Sequence, residues 1–347
     1  MEIIKCTIED SSSVLDVLKL IDTLPSLQTV FVLNSHRKVV GTITDGDIRR
    51  GLIRGATINN KVIDVMYQDF SYLQEGDIDF DKISDFRIRK LKAVPLLSKK
   101  GSLVKVYDFT KIKSILPVDA VIMAGGRGER LKPLTNEVPK PLLKVGGKEI
   151  VSYVFDSFLQ YGITNQHVTI NYLSDQISDF CENYSSEINF NLIKEEEYLG
   201  TAGALTLIND FKNDVVLLIN SDILTNIDFE DFYNSFLYKE ADIMVASIPY
   251  KVNLPYAILN NDDDVIKSFQ EKPNYTYYAN AGIYLIKKEI LSLIPKSKFF
   301  NATDLLQLAI EAQKKLMHYP IRSYWLDIGK HEDYEKAQKD ISHIDFD

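Results

Sequence analysis

Three glycines fall within four positions at Gly125-Gly126-Arg127-Gly128, directly after the apolar run Val121-Ile122-Met123. An apolar run that feeds a glycine cluster reads as a buried strand ending in a tight turn. The glycines are expected to turn at positive φ and to aim several backbone N–H groups into one concavity. Such a nest binds anions, and phosphate is the usual occupant after a buried strand. Arg127, Arg130 and, beyond the loop, Lys140 can bring positive charge to the same spot, so the stretch reads as a triphosphate site. It is neither of two common phosphate loops. A P-loop closes on Gly-Lys-Ser/Thr where this chain has Gly-Glu-Arg, and a dinucleotide fingerprint needs a further glycine where this chain has Leu131.

A chain of 347 residues suggests two domains, and Pro117 marks the expected joint. Residues 1–117 read as two repeats, about 1–60 and 61–117. In the first, helical spacing from Val14 to Ile21 follows a run of serines, and two short β-rich runs, TVFVLN and KVVGTIT, form a hairpin. A helix is then expected from DGDIRRGLIRG, with an aspartate cap. The second repeat follows the pattern with lower fidelity through AVPLL and LVKVYD. Over 118–347 strands alternate with helices, and VVLLINSD is a near-continuous apolar run that implies a strand buried on both faces. The expected architecture is α/β: a doubly wound, mostly parallel, Rossmann-like sheet, with ligands at the carboxyl ends of its strands, preceded by a small α+β domain.

A net charge of −9 argues against a general nucleic-acid or membrane surface but is compatible with a local cationic pocket. Cys6 and Cys181 are too few for a disulfide framework or a zinc site, which suits a reducing cytoplasm. No leader pattern opens the chain and no apolar run reaches spanning length, so a cytoplasmic protein is expected. The five histidines show no metal spacing, and His36 and His331 read as surface residues.

Further motifs fall where strands are expected to end. Glu195-Glu196-Glu197 precede Tyr198-Leu199-Gly200-Thr201, whose small residues let a flat heterocycle lie against the backbone. A carboxylate matches the paired N–H donors of guanine in bidentate fashion and would repel the carbonyls of uracil, so Glu195 favours GTP over UTP. Asp222 in Asn220-Ser221-Asp222 must leave the core after its apolar strand, either as a helix cap or as a ligand. Asp327 in Trp325-Leu326-Asp327 sits beside a tight turn. Glu271-Lys272-Pro273 ends a strand, since proline cannot continue a ladder. Asp304 reads as a cap or supporting group.

The glycine loop together with PLT, PKPLL and VGGK closely resembles the signature of the sugar-1-phosphate nucleotidyltransferases, the nucleoside diphosphate-sugar pyrophosphorylases. That resemblance implies a Mg²⁺-dependent condensation of an NTP with a sugar 1-phosphate, releasing pyrophosphate. It assigns the nucleotide to Ala124, Gly125, Gly126, Arg127, Gly128, Glu195, Gly200 and Thr201, with Arg130 and Lys140 on the phosphates and Asp222 and Asp327 on the metal. Lys272 would steer the sugar phosphate, with Glu271, Asn280, Tyr256 and Ala257 around the sugar; Ala257 stands where relatives often have glycine. The segment GTITDGDIRR resembles a CBS motif, so the first domain resembles a CBS pair. In that family Thr44 and Asp47 would contact an adenine nucleotide; alternatively the pair only packs and dimerises. The second repeat puts Lys105, Asp108 and Lys111 at the matching positions of Gly41, Thr44 and Asp47. The combined layout is similar to the CBS-bearing guanylyltransferases of bacterial legionaminic acid pathways, which implies glucosamine 1-phosphate as acceptor and a homo-oligomer. The alternatives are a mannose- or heptose-1-phosphate guanylyltransferase, a uridylyltransferase, and a nucleotide sensor without turnover.

Overall fold

The computed structural model describes residues 6–24, 28–76 and 80–344. The chain divides into two compact units, one ending at Ile115 and the other beginning at Leu116.

The N-terminal unit repeats one small motif. Strand β1 (Thr7–Glu9) leads through helix α1 (Val14–Thr23) to the antiparallel hairpin β2 (Thr29–Leu33) and β3 (Val39–Thr44), followed by helix α2 (Asp45–Ile53). Strand β4 (Leu73–Gln74), helix α3 (Phe80–Ile88), β5 (Ala93–Leu97) and β6 (Leu103–Asp108) repeat it. In both sheets the first strand runs parallel to the second and the hairpin shifts register at the same relative place, Val32/Leu33 and Leu96/Leu97. The helix after β3 is capped by Thr44 rather than by an aspartate. The Thr44 hydroxyl receives the Asp47 amide while Asp47 Oδ2 accepts the Thr44 amide at 2.9 Å. After β6 the chain makes a turn instead, the Lys111 amide donating to the Asp108 carbonyl. Gly41 has no room for a side chain, since a Cβ there would lie 2.7 Å from Met66 Sδ.

The second unit is built on a seven-stranded sheet. Its elements run β7 (Asp119–Met123), β8 (Lys144–Val145), β9 (Lys148–Glu149), α4 (Ile150–Gln160), β10 (Asn165–Ile170), α5 (Ser174–Tyr184), β11 (Asn189–Lys194) and α6 (Gly200–Gly203). Then come β12 (Val215–Asn220), β13 (Ile223–Thr225), α7 (Phe229–Tyr238), β14 (Ile243–Asn253), β15 (Ile258–Asp262), β16 (Val265–Gln270) and β17 (Asn274–Lys287). Helix α8 (Ala302–Glu311), β18 (Leu316–Pro320), β19 (Trp325–Asp327) and α9 (His331–Asp340) close the unit. The sheet order is β11-β10-β7-β12-β17-β14-β18. It is mostly parallel: only β17 runs against its neighbours. Val121, Met123, Val216, Leu218, Tyr284 and Ile286 join Ala302 and Leu305 in one apolar cluster. The alternate residues Ile122, Leu217, Ile219 and Leu285 are equally buried, as are Phe155, Phe158, Phe229 and Phe232 of α4 and α7. Burial on both faces explains why these strands read as unbroken apolar runs.

Strands β14 and β17 extend well beyond the sheet. Only Ile243–Ser247 pair with β18 and only Ile283–Lys287 with β12, yet β14 and β17 stay paired out to Asn253↔Asn274. The chain between them folds as the separate hairpin β15–β16.

Candidate active site

The carboxyl ends of β7 and β12 open into a pocket of about 310 Å³ lined by Ala124, Gly125, Gly126, Gly128, Arg130, Lys140, Tyr198, Thr201, Asp222 and Gly329, among others. Of the glycines in the loop only Gly128 has positive φ, +61°. A Cβ there would also lie 2.9 Å from Thr135 Cγ2 and 3.1 Å from Lys140 Cβ. The Thr135 hydroxyl donates to the Gly128 carbonyl at 2.9 Å, and the Tyr172 hydroxyl donates to the Thr135 carbonyl at 3.0 Å. Gly125 is required for a different reason: a Cβ would meet Glu195 Oε1 at 2.7 Å, whereas Gly126 faces open space. The expected nest of three positive-φ glycines is therefore one left-handed turn preceded by one close approach.

Two acids far apart in the chain converge because β13 pairs with β19. Ile223 stands opposite Asp327, and the Ile328 amide donates to the Asp222 carbonyl at 3.0 Å. Asp222 occupies the turn between β12 and β13 and caps no helix; its Oδ2 is paired with Lys140. Lys140 lies on a single 3₁₀ turn behind Pro139 and is 9% exposed. Burial and the neighbouring Asp222 push the Asp327 carboxyl above its ordinary range, while Lys140 and Arg130 act against the shift. Asp222 Oδ1 and Asp327 Oδ1 are both buried without a hydrogen-bond partner. Two inward carboxylate oxygens left unsatisfied fit a hard cation that takes one or two protein carboxylates and completes its shell with phosphate and water. Gly329 leaves room for Arg130, whose Nη2 would be 3.2 Å from a Cβ there.

Other expected residues are placed differently. Arg127 is exposed and lies outside the lining. Glu195 is buried behind Gly125, also outside the lining; its Oε2 accepts the Leu199 amide at 2.8 Å and its Oε1 has no partner. Burial pushes its carboxyl up, with the Leu199 amide and Thr169 hydroxyl opposing. Gly200, at φ +79°, and Thr201 turn the chain toward α8, the Thr201 hydroxyl accepting the Ala302 amide at 2.9 Å. Asp304 caps that helix, accepting the Asn301 amide at 2.7 Å. Glu271 and Lys272 stand exposed at the end of β16, and Tyr256 and Ala257 are exposed on the preceding bend. None of the four lines the pocket. Asn280 donates to the Tyr284 hydroxyl at 2.8 Å and accepts the Gly282 amide.

Tyr198 was not expected in the lining, though it stands directly before the Leu-Gly-Thr turn. A second cavity, about 480 Å³, was also not foreseen; Ile248, Pro249, Tyr278, Ile321, Arg322 and Trp325 are among its walls. It lies where β14 leaves the sheet beyond Ser247 and at the carboxyl end of β18, on the same edge of the sheet as the first pocket. The Trp325 indole N–H donates to the Ala281 carbonyl at 2.9 Å, which fixes its ring two residues from Asp327. In the N-terminal unit a third cavity of about 610 Å³ has Asp47, Arg50, Arg54 and Tyr67 among its walls. Asp47 Oδ1 accepts from Arg50 there at 2.5 Å, and Thr44 is outside the lining.

Residues 119–343 match the family described as nucleotidyl transferase. A D-glycero-alpha-D-manno-heptose 1-phosphate guanylyltransferase of Aneurinibacillus thermoaerophilus is 30% identical over 229 residues, 65% of this chain and 99% of that protein. The bifunctional protein GlmU of Methanocaldococcus jannaschii is 31% identical over 64% of this chain, which spans only 54% of that longer relative. The crystal structure of HddC from Yersinia pseudotuberculosis superimposes with a TM-score of 0.50 at 28% identity, over 65% of this chain and 99% of HddC.

Proposed function

We propose that this chain, which belongs to the nucleotidyl transferase family, joins GTP to a sugar 1-phosphate, giving a GDP-sugar and pyrophosphate. The observation that carries the proposal is the convergence of Gly128, Arg130 and Lys140 with two carboxylates whose Oδ1 atoms lack partners. Such a site is built to bring phosphates together rather than to form a covalent intermediate. Two anions must meet in line, so positioning and neutralisation dominate the chemistry. The backbone from Ala124 to Gly128 and Arg130 hold the β- and γ-phosphates. Lys140, already oriented by Asp222, faces the α-phosphate. Asp222 and Asp327 would hold a divalent cation, Mg²⁺ in the simplest case, which when bound neutralises charge on the phosphate oxygens. Lys272 and Glu271 guide the sugar 1-phosphate, and the cavity beside Arg322 and Trp325 supports an acceptor position along the same edge.

The guanine preference rests on the heptose 1-phosphate guanylyltransferase relative. Glu195 contributes to it only by turning from the Leu199 amide toward the base. Glucosamine 1-phosphate is the proposed acceptor, from the resemblance of the two-domain layout. The same relative favours a second reading, with a heptose or mannose 1-phosphate in its place. In the N-terminal unit the cavity beside Asp47 supports a CBS pair that takes an adenine nucleotide between Arg50, Arg54 and Tyr67. Titrating the full chain with AMP, ATP and GTP tests that part, and no binding beyond the active site removes it.

A matrix of four NTPs against hexose, hexosamine and heptose 1-phosphates, read by pyrophosphate release, tests the whole. GTP with one of these acceptors is the expected best pair. Faster release with UTP would remove the guanine assignment, and no release with any pair would remove the enzyme.

A further inference from the structure

A small apolar cluster outside the main sheet anchors most of the charged groups of the pocket. Leu131, Leu143, Leu326, Ile328 and Ala337 are among its buried members, with Tyr334 packed against them. Leu131 follows Arg130, Leu143 comes three residues after Lys140, and Leu326 and Ile328 flank Asp327. Helix α9 closes this cluster, and not only with apolar groups. His331, Tyr334 and Gln338 stand at i, i+3 and i+7, the spacing of one helix face.

Each of the three bonds to backbone. The Tyr334 hydroxyl donates to the Lys144 carbonyl at 2.7 Å, and Gln338 Nε2 donates to the same carbonyl at 2.6 Å. Gln338 Oε1 also accepts the Gly146 amide at 3.2 Å. His331 Nε2 lies 2.8 Å from the Lys132 carbonyl. A carbonyl can only accept, so Nε2 carries the proton and donates. His331 is exposed, as its sequence context suggests, yet its ring is tied down. Among the described residues no other hydrogen bond joins 129–135 to 327–335.

The position of Arg130 gives that bond its importance. Its guanidinium lies along Gly329, where a Cβ would meet Nη2 at 3.2 Å, Nη1 at 3.3 Å and Cζ at 3.4 Å. Gly329 is two residues from Asp327 and two from His331. Arg130 is itself exposed, and an exposed arginine gives up rotamer freedom to hold one pose. We infer that His331 is a positioning residue for Arg130. By donating to the Lys132 carbonyl it holds the 129–132 turn against Gly329, so that the guanidinium meets the β- and γ-phosphates at a set distance from Asp327. This rests on the nucleotide site proposed above. Tyr334 and Gln338 hold the segment after Lys140 in the same way, through the Lys144 carbonyl.

Calorimetric titration of the full chain with GTP and with GMP, without acceptor, tests the inference, because only GTP offers the phosphates that Arg130 serves. H331F keeps a ring and removes the donor. It is expected to weaken GTP about tenfold and to leave GMP unchanged. H331Q, whose amide can donate to the same carbonyl, is expected to stay within about threefold of the wild type. In an R130A background H331F should cost less than about twofold, since the group it positions is gone. H331A supplies a second truncation should the phenyl ring disturb the start of the helix. Four outcomes overturn the positioning role and leave the proposed function standing: no loss in H331F, equal losses for GTP and GMP, a loss that persists undiminished in the R130A background, or H331Q as weak as H331F. A wild type that binds neither nucleotide removes the nucleotide site and this inference together.

Discussion

Lys140 and Lys272 are both assigned to phosphate, and the fold treats them in opposite ways. Lys140 is nearly buried, paired with Asp222, and held by a turn that packs on Gly128 and Thr135. Lys272 is exposed at φ +42° on a ribbon without cover, its nearest acid Glu271 at 4.0 Å. If the proposed roles hold, Lys140 on the nucleotide side is fixed before substrate arrives, which is the arrangement that lowers a barrier. Lys272 on the proposed acceptor side is not, and there part of the binding energy would go into ordering. Losses on the first side should therefore fall on kcat, and losses on the second on the KM for the sugar phosphate.

The largest effects are expected at the fixed end. Lys140→Ala should lower kcat by roughly 10²–10³-fold, with Asp222→Ala at least as severe. A chelator should abolish turnover, Mg²⁺ should restore it, and Asp222→Ala should blunt the recovery. Steady-state kinetics with both substrates varied checks each outcome. Lys272→Ala comes next, raising the KM for the sugar phosphate about tenfold, as loss of an exposed charge-assisted contact should. If Lys272→Ala instead lowers kcat as far as Lys140→Ala does, the two sides are equally fixed and the contrast is broken.

A smaller pair of substitutions sharpens the contrast within the glycine loop itself. Gly128→Ala adds a methyl group at φ +61° against Thr135 and Lys140, and should cost about 1–2 kcal/mol of stability with a loss of kcat. Gly126→Ala meets nothing within 4 Å and should stay within about 0.5 kcal/mol of the wild type. Chemical denaturation of the two variants decides between them, and equal losses would mean that the loop is not held by contact at all.

How much was legible in the sequence follows the same division. The strands β7, β10 and β12 announce themselves because each is buried on both faces, and Asp222 because a charge must surface after such a run. The loop was legible as a phosphate turn but not in detail: Gly125 is set by Glu195, a contact across 70 positions that no local pattern carries. For the same reason the sequence offers Glu195 as a reader of the base but gives no sign that its Oε2 accepts the Leu199 amide. The pairing of β13 with β19 that joins the two acids is long-range and leaves no periodic trace. The ribbon was legible as strands, but its projection depends on where pairing with β12 and β18 stops, which composition does not encode. The cap at Thr44 was misread by one residue because Asp45, the first helical position, is itself a favourable N-terminal residue.

Acid should separate the two sides by the smallest margin. His167 on β10 is fully buried among the strands that carry the nucleotide pocket, its ring 5.5 Å from Phe211 and its Nδ1 without a partner. Burial lowers its pKa from 6.5; Asp119 and Asp210 act against the shift and Lys212 with it. The unfolded chain therefore takes up the proton more readily than the folded one. The neutral ring's contribution is complete above the ordinary imidazole value and is lost as pH falls below it toward the folded value. The ribbon from Ile258 to Lys272 holds no buried titratable group to respond in that range. The single tryptophan, Trp325, lies in β19 and reports the folding of the second unit by its emission. Thermal midpoints read at Trp325 should fall between pH 7 and pH 5 in the wild type, and His167→Gln should flatten that fall. An equally steep fall in the variant would mean that the acid sensitivity comes from the exposed carboxylates, which both sides share.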